Sequence, residues 1–449
     1  MEVTIMSKLA LLGGEPLFSG KKAPEELFKW PIITQEDIEA ANDVILNNKF
    51  SGTDLTTKFE EEYAQWQGRK YGLAFTNGTM ALSAAMFAIG LGEGDEIICP
   101  TKTYWGSVSQ AGCFGAKAVF CNIDEVMNMD PNDLERCITP RTKAIVVVHY
   151  MAYPCDMDPI MEIANRHNLY VIEDVSHGHG SMYKGKKVGT FGHIAAMSMM
   201  SQKGFAAGEL GMLVTDDRKL YERSLAYGHY ERNNDNFILE ADEIKDYSHI
   251  ALGGVKGRAN QVCVALARGQ LKHFDERCIE IRRALNYFYD ALEGLPGIKP
   301  RRPDESIGSN LGAGYCPRLI YKPEELEGLS ASRFAAAVEA ELNGSSKCRS
   351  GANFNLHTHK YFRTFDFFHS MAPMADDGVY DKALDKSDDI HCISVPWFKH
   401  FDQEWIDLYI AAYKKVLENY RDLLDGDENR IEGQWYGSDY DKDYTKKQK

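Results

Sequence analysis

Short apolar runs alternate with helical patterns between about residues 72 and 215 of this chain. The runs have the length of strands, and helical stretches such as 79–89 and 159–167 separate most of them. Short apolar strands separated by helices predict a mostly parallel central sheet with helices on both faces. The candidate strands are residues 73–76, 97–99, 118–121, 144–148, 170–173, 195–198 and 212–215.

The pattern changes after residue 258. Residues 260–292 have apolar positions near a 3.6-residue period, which predicts one long helix of the kind that joins two domains. A smaller α+β domain is predicted to follow, with helices at 331–342 and 403–417. The predicted division is an N-terminal arm (1–30), a large domain (31–260), the interdomain helix with a small C-terminal domain (261–425) and a charged tail (426–449). We expect the tail to be mobile or to lie on a partner.

Composition narrows the class of protein. The net charge of −15 without a clustered basic stripe disfavours a nucleic-acid partner. The absence of a long apolar run predicts no membrane span, and the apolar stretch near residue 10 is too short for a secretory signal. Ten cysteines without a C-x-x-C pair predict free thiols in a reducing cytoplasm and no zinc site.

Two ionisable residues stand at the ends of neighbouring predicted strands. Asp174 closes the apolar run 169–172, and Lys203 follows a second run that ends in Ser198. Pyridoxal phosphate (PLP) uses a lysine for an imine with its aldehyde and an acid to keep its ring nitrogen protonated. The pair therefore predicts a PLP site, in which Lys203 would also carry the proton as a free base.

Each residue of this pair has an ordinary alternative. An average lysine is a solvated surface residue, but Lys203 stands between apolar residues 195–200 and glycine-rich residues 206–211. Asp174 could instead cap a helix or lie at the edge of the core. The sequence leaves both interpretations of Asp174 open.

A T-N-G-T turn at residues 76–79 follows one predicted strand and opens a helix. Free N–H groups and the helix dipole make such a turn a cradle for phosphate, and Gly78 lets the anion approach the backbone. Ser198 could donate a further hydrogen bond. The alternatives are a capped helix after a tight turn and a core serine whose hydrogen bonds are satisfied.

Aromatic and histidine residues add weaker signals. Tyr104 follows a predicted strand end and could stack on the ring of the cofactor, although aromatic residues are more often core residues. His177 and His179 follow Asp174, but a metal site would need a third convergent ligand.

Together these motifs resemble the DegT/DnrJ/StrS aminotransferases, fold-type I PLP enzymes that aminate keto-sugars and related cyclitol ketones. The resemblance covers the chain up to about Tyr420. Its motifs are T-N-G-T before a helix, P-T-K-T-Y-W, E-D-V-S-H-G-H-G, Y-K-G-K-K-V-G, S-x-x-x-x-K, G-E-L-G, the opening L-A-L-L-G-G-E-P and N-L-H around His357.

The resemblance implies a role for each matching residue. Lys203 would be the Schiff-base lysine and Asp174 the partner of the ring nitrogen, while Tyr104 would lie over the ring. Gly78, Thr79 and Ser198 would bind phosphate, and His357 would lie on the substrate side. Family members are homodimers with active sites at the subunit interface. Lys256, within G-V-K-G-R, falls where many members have an asparagine that reaches the neighbouring subunit's phosphate.

Three positions depart from the common pattern of the family. His177 stands where many members have glutamine beside the phenolic oxygen of the cofactor. Lys256 replaces an amide by a cation, which suits a phosphate. S-Q-K-G-F-A-A-G-E-L-G replaces the commoner T-K-N-L-T-T-G-E-G-G, so contacts to the substrate after Lys203 are expected to differ.

The sequence is therefore interpreted as a cytoplasmic, homodimeric PLP-dependent aminotransferase. Through an internal aldimine on Lys203, it would move an amino group from glutamate or glutamine to a ketone of a sugar or cyclitol. One alternative is a sugar dehydratase of the same family, in which histidine replaces the lysine. Another is a PLP-binding or sugar-binding regulatory protein without catalytic activity.

Overall fold

The computed structural model describes residues 8–359, 361–362, 384 and 389–428. A seven-stranded sheet lies at its centre, with the strand order β1-β9-β8-β5-β4-β2-β3. All its strands are parallel except β9, which pairs antiparallel with both neighbours. Its strands are β1 (Tyr71–Phe75), β2 (Glu96–Pro100), β3 (Lys117–Cys121), β4 (Thr142–Val148), β5 (Tyr170–Asp174), β8 (Ile194–Ser198) and β9 (Gly211–Thr215), with a hairpin of β6 (Met182–Tyr183) and β7 (Lys186–Lys187) between β5 and β8.

Apolar side chains fill both faces of the central sheet. Along β4, Val146 and Val148 belong to one hydrophobic cluster, whereas Ile145 and Val147 belong to another on the opposite face. This alternation follows from the two-residue period of a strand. The predicted α/β fold of PLP transferase fold-type I is confirmed, because the sheet is mostly parallel and covered by helices on each side.

The predicted helices are confirmed to within two residues at their ends, and several begin at a side-chain cap. Asn77 accepts a hydrogen bond from the N–H of Met80 at 2.9 Å, and Asn260 accepts one from Val262 at 2.8 Å. The helices are α1 (Gln35–Leu46), α2 (Asp54–Gln67), α3 (Gly78–Ala88), α4 (Pro131–Leu134), α5 (Met157–Arg166), α6 (Arg218–Gly228), α7 (Gln261–Leu292), α8 (Ala331–Glu341) and α9 (Gln403–Glu418).

The C-terminal half builds a second, smaller layer. A three-stranded antiparallel sheet of β10 (Ile298–Pro300), β11 (Arg318–Tyr321) and β12 (His391–Ser394) packs with α8 and α9 around a third hydrophobic cluster. Leu9, Phe18 and Leu27 of the N-terminal arm are buried in this same cluster. The arm thus packs on the small domain, while the boundaries between domains stay a prediction.

The structure also bears on the predictions for the cysteines, for membrane-spanning helices and for the C-terminal tail. All ten cysteines are free thiols, as predicted. Cys121, Asp133 and Cys137 nevertheless bring one ligand atom each within 4.8 Å of one another, a grouping that their spacing did not indicate. Nowhere in the described ranges does a helix have the length and apolar character needed to cross a membrane. Most of the predicted tail, from residue 429 onward, lies outside the described residues.

Candidate active site

A cavity of about 560 Å³ opens beyond the carboxyl ends of the parallel strands, where ligands bind in sheets of this type. Asp174 ends β5, Ser198 ends β8, and α3 begins three residues after β1. Because these strands are parallel, their ends meet at one edge of the sheet. Seven of the nine predicted site residues line the cavity: Gly78, Thr79, Tyr104, Asp174, His177, Ser198 and Lys203.

Lys203 presents a buried amine to this cavity. Its side chain makes no hydrogen bond within the described part of the chain, and Nζ lies 4.9 Å from the ring centroid of Tyr315. The indole N–H of Trp30 donates to the Lys203 carbonyl at 2.8 Å, which fixes the backbone. Burial lowers the pKa of Lys203 to about 8, although the carboxylate of Asp174 opposes the shift. The amine can therefore lose its proton near neutral pH.

Both oxygens of the buried Asp174 carboxylate are held in place. Oδ1 accepts from the N–H of Ser176 at 3.0 Å, which is a local turn bond, and Oδ2 accepts from the hydroxyl of Ser107 at 2.7 Å. Ser107 also contacts the Thr103 hydroxyl at 3.1 Å. Asp174 caps no helix in the described part of the chain, and its two hydrogen bonds orient the carboxylate along the cavity wall.

The start of α3 comes very close to the end of β8. A Cβ atom on Gly78 would lie 2.7 Å from both the backbone nitrogen and the Cβ of Ser198, so only glycine fits there. The first N–H groups of α3 and the Ser198 side chain consequently share one corner of the cavity. This corner, formed by Gly78, Thr79 and Ser198, suits a phosphate group.

His177 is held as a neutral imidazole. Its Nδ1 accepts a hydrogen bond from the N–H of Met151 at 3.2 Å, which leaves the proton on Nε2. Burial lowers the pKa of His177 well below its usual value, and the charge of Lys203 lowers it further. The replacement of glutamine by histidine therefore provides a hydrogen-bond donor without adding a charge.

A strained turn supports this tautomer. Met151 has a φ of +48°, which is unusual for a residue with a Cβ. The guanidinium of Arg301 donates to the carbonyl oxygens of Met151 and Tyr150 at 3.0 and 2.9 Å. These two bonds hold the Met151 N–H toward His177.

The ring of Tyr104 forms another part of the wall. It lies 4.6 Å, centroid to centroid, from the exposed ring of Trp105, at an angle of 40°. A Cβ atom on Gly106 would lie 2.7 Å from the Tyr104 ring, so the glycine makes room for it. Tyr104 thus contributes to the wall of the cavity.

Two predicted site residues lie elsewhere. Lys256 is exposed, and its Nζ lies 5.4 Å from the ring centroid of Tyr230, outside the cavity of its own chain. His357 is buried and does not line the cavity; its Nδ1 contacts the hydroxyl of Thr101 at 2.5 Å. The structure therefore does not bring His357 into the cavity as a substrate contact.

The two loop histidines have separate partners. His179 Nε2 lies 2.8 Å from the carbonyl oxygen of Ser198, whereas His177 Nδ1 is bonded to Met151. Burial lowers the pKa of His179 to about 4. The two side chains do not converge on a common ligand position.

Several residues of the cavity wall were not predicted from the sequence. Tyr315, Arg318 and Asn353 reach it from the C-terminal half of the chain, and Ser107 reaches it from the segment after β2. The available signal was weak. An arginine at the start of the apolar strand R-L-I-Y is unusual, but nothing local to the sequence connects it to Lys203.

Known proteins similar to this chain give a consistent result. Residues 31–407 match the DegT/DnrJ/EryC1/StrS aminotransferase family. A GDP-perosamine synthase of Escherichia coli O157:H7 is 38% identical over 276 residues, which are 61% of this chain and 73% of that protein. A putative L-glutamine:3-amino-2,3-dideoxy-scyllo-inosose aminotransferase of Micromonospora echinospora is 31% identical over 339 residues, 74% of this chain and 78% of that protein.

Solved structures agree with this assignment. An aminotransferase from Psychrobacter cryohalolentis superposes with a TM-score of 0.74 and 27% identity, over 89% of this chain and 100% of that chain. The family match extends over most of the chain, from just before α1 into α9. The chain therefore belongs to the DegT/DnrJ/EryC1/StrS aminotransferase family, and the predicted aminotransferase activity is confirmed at the level of the family.

Proposed function

We propose that this protein is a PLP-dependent aminotransferase that moves an amino group from glutamate or glutamine to a ketone of a sugar or cyclitol. One observation carries the cofactor assignment: the buried amine of Lys203 and the carboxylate of Asp174 face one cavity, beside a glycine-opened helix start suited to phosphate. Two of the similar proteins, a GDP-perosamine synthase and a putative L-glutamine:3-amino-2,3-dideoxy-scyllo-inosose aminotransferase, support the substrate class.

Each residue of the cavity would have a catalytic or binding role that follows from its position. When bound, PLP supplies an aldehyde that takes the amino group and a ring that withdraws electrons from the reacting carbon. Lys203, with its pKa lowered to about 8, would take the proton from the substrate Cα and return it. Asp174, oriented by Ser107, would accept a hydrogen bond from the protonated ring nitrogen.

The remaining residues would hold the cofactor. Nε2–H of His177 would donate to the phenolic oxygen, since Nδ1 is already occupied. The N–H groups at Gly78 and Thr79 and the hydroxyl of Ser198 would bind the phosphate. Tyr104 would stack on the ring.

We further propose a homodimer with shared active sites in the cytoplasm. Lys256 is exposed and lies outside the cavity of its own chain, as expected for a residue that serves the partner's site. Ten free thiols suit a reducing compartment. Small-molecule substrates are the expected partners, and neither nucleic acid nor a membrane is expected.

The two alternatives are less well supported. A dehydratase of the same family would have histidine in place of Lys203, and a regulatory protein would not require a buried amine with a lowered pKa. The family match to aminotransferases also favours catalysis. Both alternatives predict that an amino acid donor is not consumed.

A single half-reaction tests the proposal. Purified protein loaded with PLP is mixed with L-glutamate or L-glutamine, and the cofactor absorbance and the release of the 2-oxo acid are followed. The aldehyde-form absorbance should be replaced by that of the amine form, with one equivalent of 2-oxo acid per site. Lys203→Ala should abolish both changes, whereas Lys184→Ala, which removes an exposed lysine paired with Asp158, should not. Unchanged donor turnover in Lys203→Ala would reject the assignment.

A further inference from the structure

Two cysteines and an aspartate meet at one edge of the central sheet. Cys121 is the last residue of the edge strand β3, Asp133 lies in α4, and Cys137 lies three residues beyond the end of α4. One ligand atom from each residue lies within 4.8 Å of the other two. None of the three lines the active-site cavity, so the aminotransferase function proposed above does not use them.

The side chains of this cluster are buried. Cys121 is 0% and Cys137 is 2% exposed, and the side chain of Asp133 is 13% exposed. The Cys121 thiol donates to the carbonyl oxygen of Asp130 at 3.5 Å, and the Cys137 thiol donates to that of Phe120 at 3.5 Å. An S–H group is a weak donor, so little hydrogen-bond energy is lost when these thiols ionise to bind a cation.

The spacing of the ligand atoms suits a tetrahedral cation. Zinc binds sulfur at about 2.3 Å and carboxylate oxygen at about 2.0 Å, which places tetrahedral ligand atoms roughly 3.5 to 3.8 Å apart. Sγ of Cys137 lies 3.9 Å from Oδ2 of Asp133, and no pair of ligand atoms in this cluster exceeds 4.8 Å. Side-chain shifts of roughly 1 Å or less would therefore bring all three onto one cation.

The carboxylate of Asp133 is already oriented by its neighbours. Oδ2 accepts from the backbone N–H of Asn122 at 2.8 Å, and the guanidinium of Arg136 donates to both oxygens at 2.7 Å. Metal-binding carboxylates commonly have hydrogen-bond partners of this kind. The Arg136 side chain is 32% exposed, so it can move away from one oxygen when a cation binds there.

Arg136 also balances the charge of a loaded site. Both thiols must lose their protons to bind a cation, which gives the two sulfurs and Asp133 three negative charges. A divalent cation together with Arg136 supplies three positive charges. The buried cluster would then carry no net charge, which avoids the cost of burying an uncompensated one.

Asn122 provides a fourth polar group at the same place. It follows Cys121 in the chain and is 8% exposed. Although burial raises the pKa of Asp133, hydrogen bonds from Arg136 and from the backbone and side chain of Asn122 lower it, so the amide lies against the carboxylate. Oδ1 of Asn122 is buried and has no hydrogen-bond partner among the described residues. Turning the amide over would present this unsatisfied oxygen to a cation.

We propose that this cluster binds one divalent cation of the zinc class. Cys121, Asp133 and Cys137 would be its ligands, and the amide oxygen of Asn122 would fill the fourth position. Two sulfur ligands favour zinc over magnesium or calcium. The cation would be structural, because its ligands are buried and the site is closed, and it would join the end of β3 to the segment before β4. The cysteine spacing predicted no zinc site, since the fold rather than a C-x-x-C motif brings these residues together.

Cobalt, a spectroscopic substitute for zinc, tests the site in the PLP-loaded protein. The protein is reduced, treated with a chelator that is then removed, and titrated with Co²⁺. One equivalent per chain should give the visible absorbance of tetrahedral cobalt, at wavelengths beyond those of PLP. Zinc should displace the cobalt, whereas an excess of magnesium should not. Zinc binding should release about two protons per cation, because an ordinary thiol is mostly protonated near neutral pH.

Serine variants locate the cation. Cys121→Ser and Cys137→Ser should each remove the cobalt absorbance and raise the Kd for zinc about a hundredfold or more, since even a lost outer partner of a metal ligand costs tenfold to a hundredfold. Zinc should raise the Tm of the wild type but not of these two variants. Cys113→Ser is the matched control, because Cys113 is an exposed thiol, and it should behave as the wild type does.

The wild type alone can overturn this inference, so the test does not require a variant to fold. Reduced wild-type protein that shows no tetrahedral cobalt absorbance would overturn it, and a disulfide between Cys121 and Cys137 after mild oxidation of that protein would make the pair a redox site instead. Cobalt absorbance that persists in both serine variants would also overturn it. None of these readouts uses an amino acid donor, so their failure is distinct from failure of the aminotransferase proposal.

Discussion

Burial gives the amine of Lys203 a lower proton affinity than that of an exposed lysine. An ordinary lysine loses its proton near a pKa of about 10.4, but desolvation lowers the pKa of Lys203 to about 8. The Asp174 carboxylate raises it and so limits the shift. Below the pKa the ammonium cannot attack an aldehyde; above it the free amine can.

We therefore expect the capture of PLP by the cofactor-free protein to become faster as the pH rises, with a midpoint near the Lys203 pKa of about 8. Asp174→Asn should move the midpoint to lower pH, because it removes the charge that favours the ammonium. The measurement is the rate of absorbance change after mixing, at intervals from about pH 6 to about pH 10. A free amine of known pKa gives the intrinsic pH dependence of PLP. A wild-type midpoint near that of an exposed lysine would contradict this explanation.

At the level of elements, most of the fold follows from local patterns. The apolar runs identified all seven central strands, and the 3.6-residue apolar period identified the long helix α7, because burial of a strand or of one helix face leaves a pattern over a few residues. The direction of β9 could not be predicted in the same way, since an apolar run does not indicate whether a strand is parallel or antiparallel to its neighbours. The absence of a helix between β8 and β9 was the available signal, because parallel neighbours need a longer crossover.

The contact between α3 and β8 makes Gly78 a sensitive position. In Gly78→Ala the added methyl group would lie 2.7 Å from the backbone of Ser198, so the helix start must move away from the phosphate corner. We expect the Kd for PLP to rise about tenfold or more, while the Kd for pyridoxal, which lacks the phosphate, changes less.

Gly92→Ala is the matched control for this substitution. No atom lies within 4 Å of a Cβ added at Gly92, so both ligands should bind as they do to the wild type. Thermal unfolding of the two variants distinguishes a local effect from general destabilisation. An equal loss of affinity for PLP and pyridoxal in Gly78→Ala would contradict a phosphate site at this corner.

The complete site belongs to the whole molecule rather than to any one motif. Trp30 of the N-terminal arm bonds the Lys203 carbonyl, and Trp397 of the small domain packs on Tyr315 at 5.5 Å. Lys399 lies buried between the rings of Trp30 and Trp397. Such contacts join residues far apart in the chain, so local sequence patterns predicted the strand-end residues but not these ones.

The same reasoning applies to Lys256, whose predicted role needs a second copy of the chain. If Lys256 binds the phosphate in the partner's site, each site combines Lys203 of one chain with Lys256 of the other. A dimer of one Lys203→Ala chain and one Lys256→Ala chain then holds one intact site and one doubly altered site. Such a mixed dimer is purified through two different affinity tags and assayed at a PLP concentration that saturates the wild type but not Lys256→Ala.

Its activity should reach about half that of the wild type, because one site in two is intact. Both parent homodimers should be far less active, since each of their sites lacks one of the two lysines. If Lys256 instead served its own chain, the mixed dimer would contain no intact site. Its activity would then not exceed the mean of the two parents, so one measurement distinguishes a shared site from two independent ones.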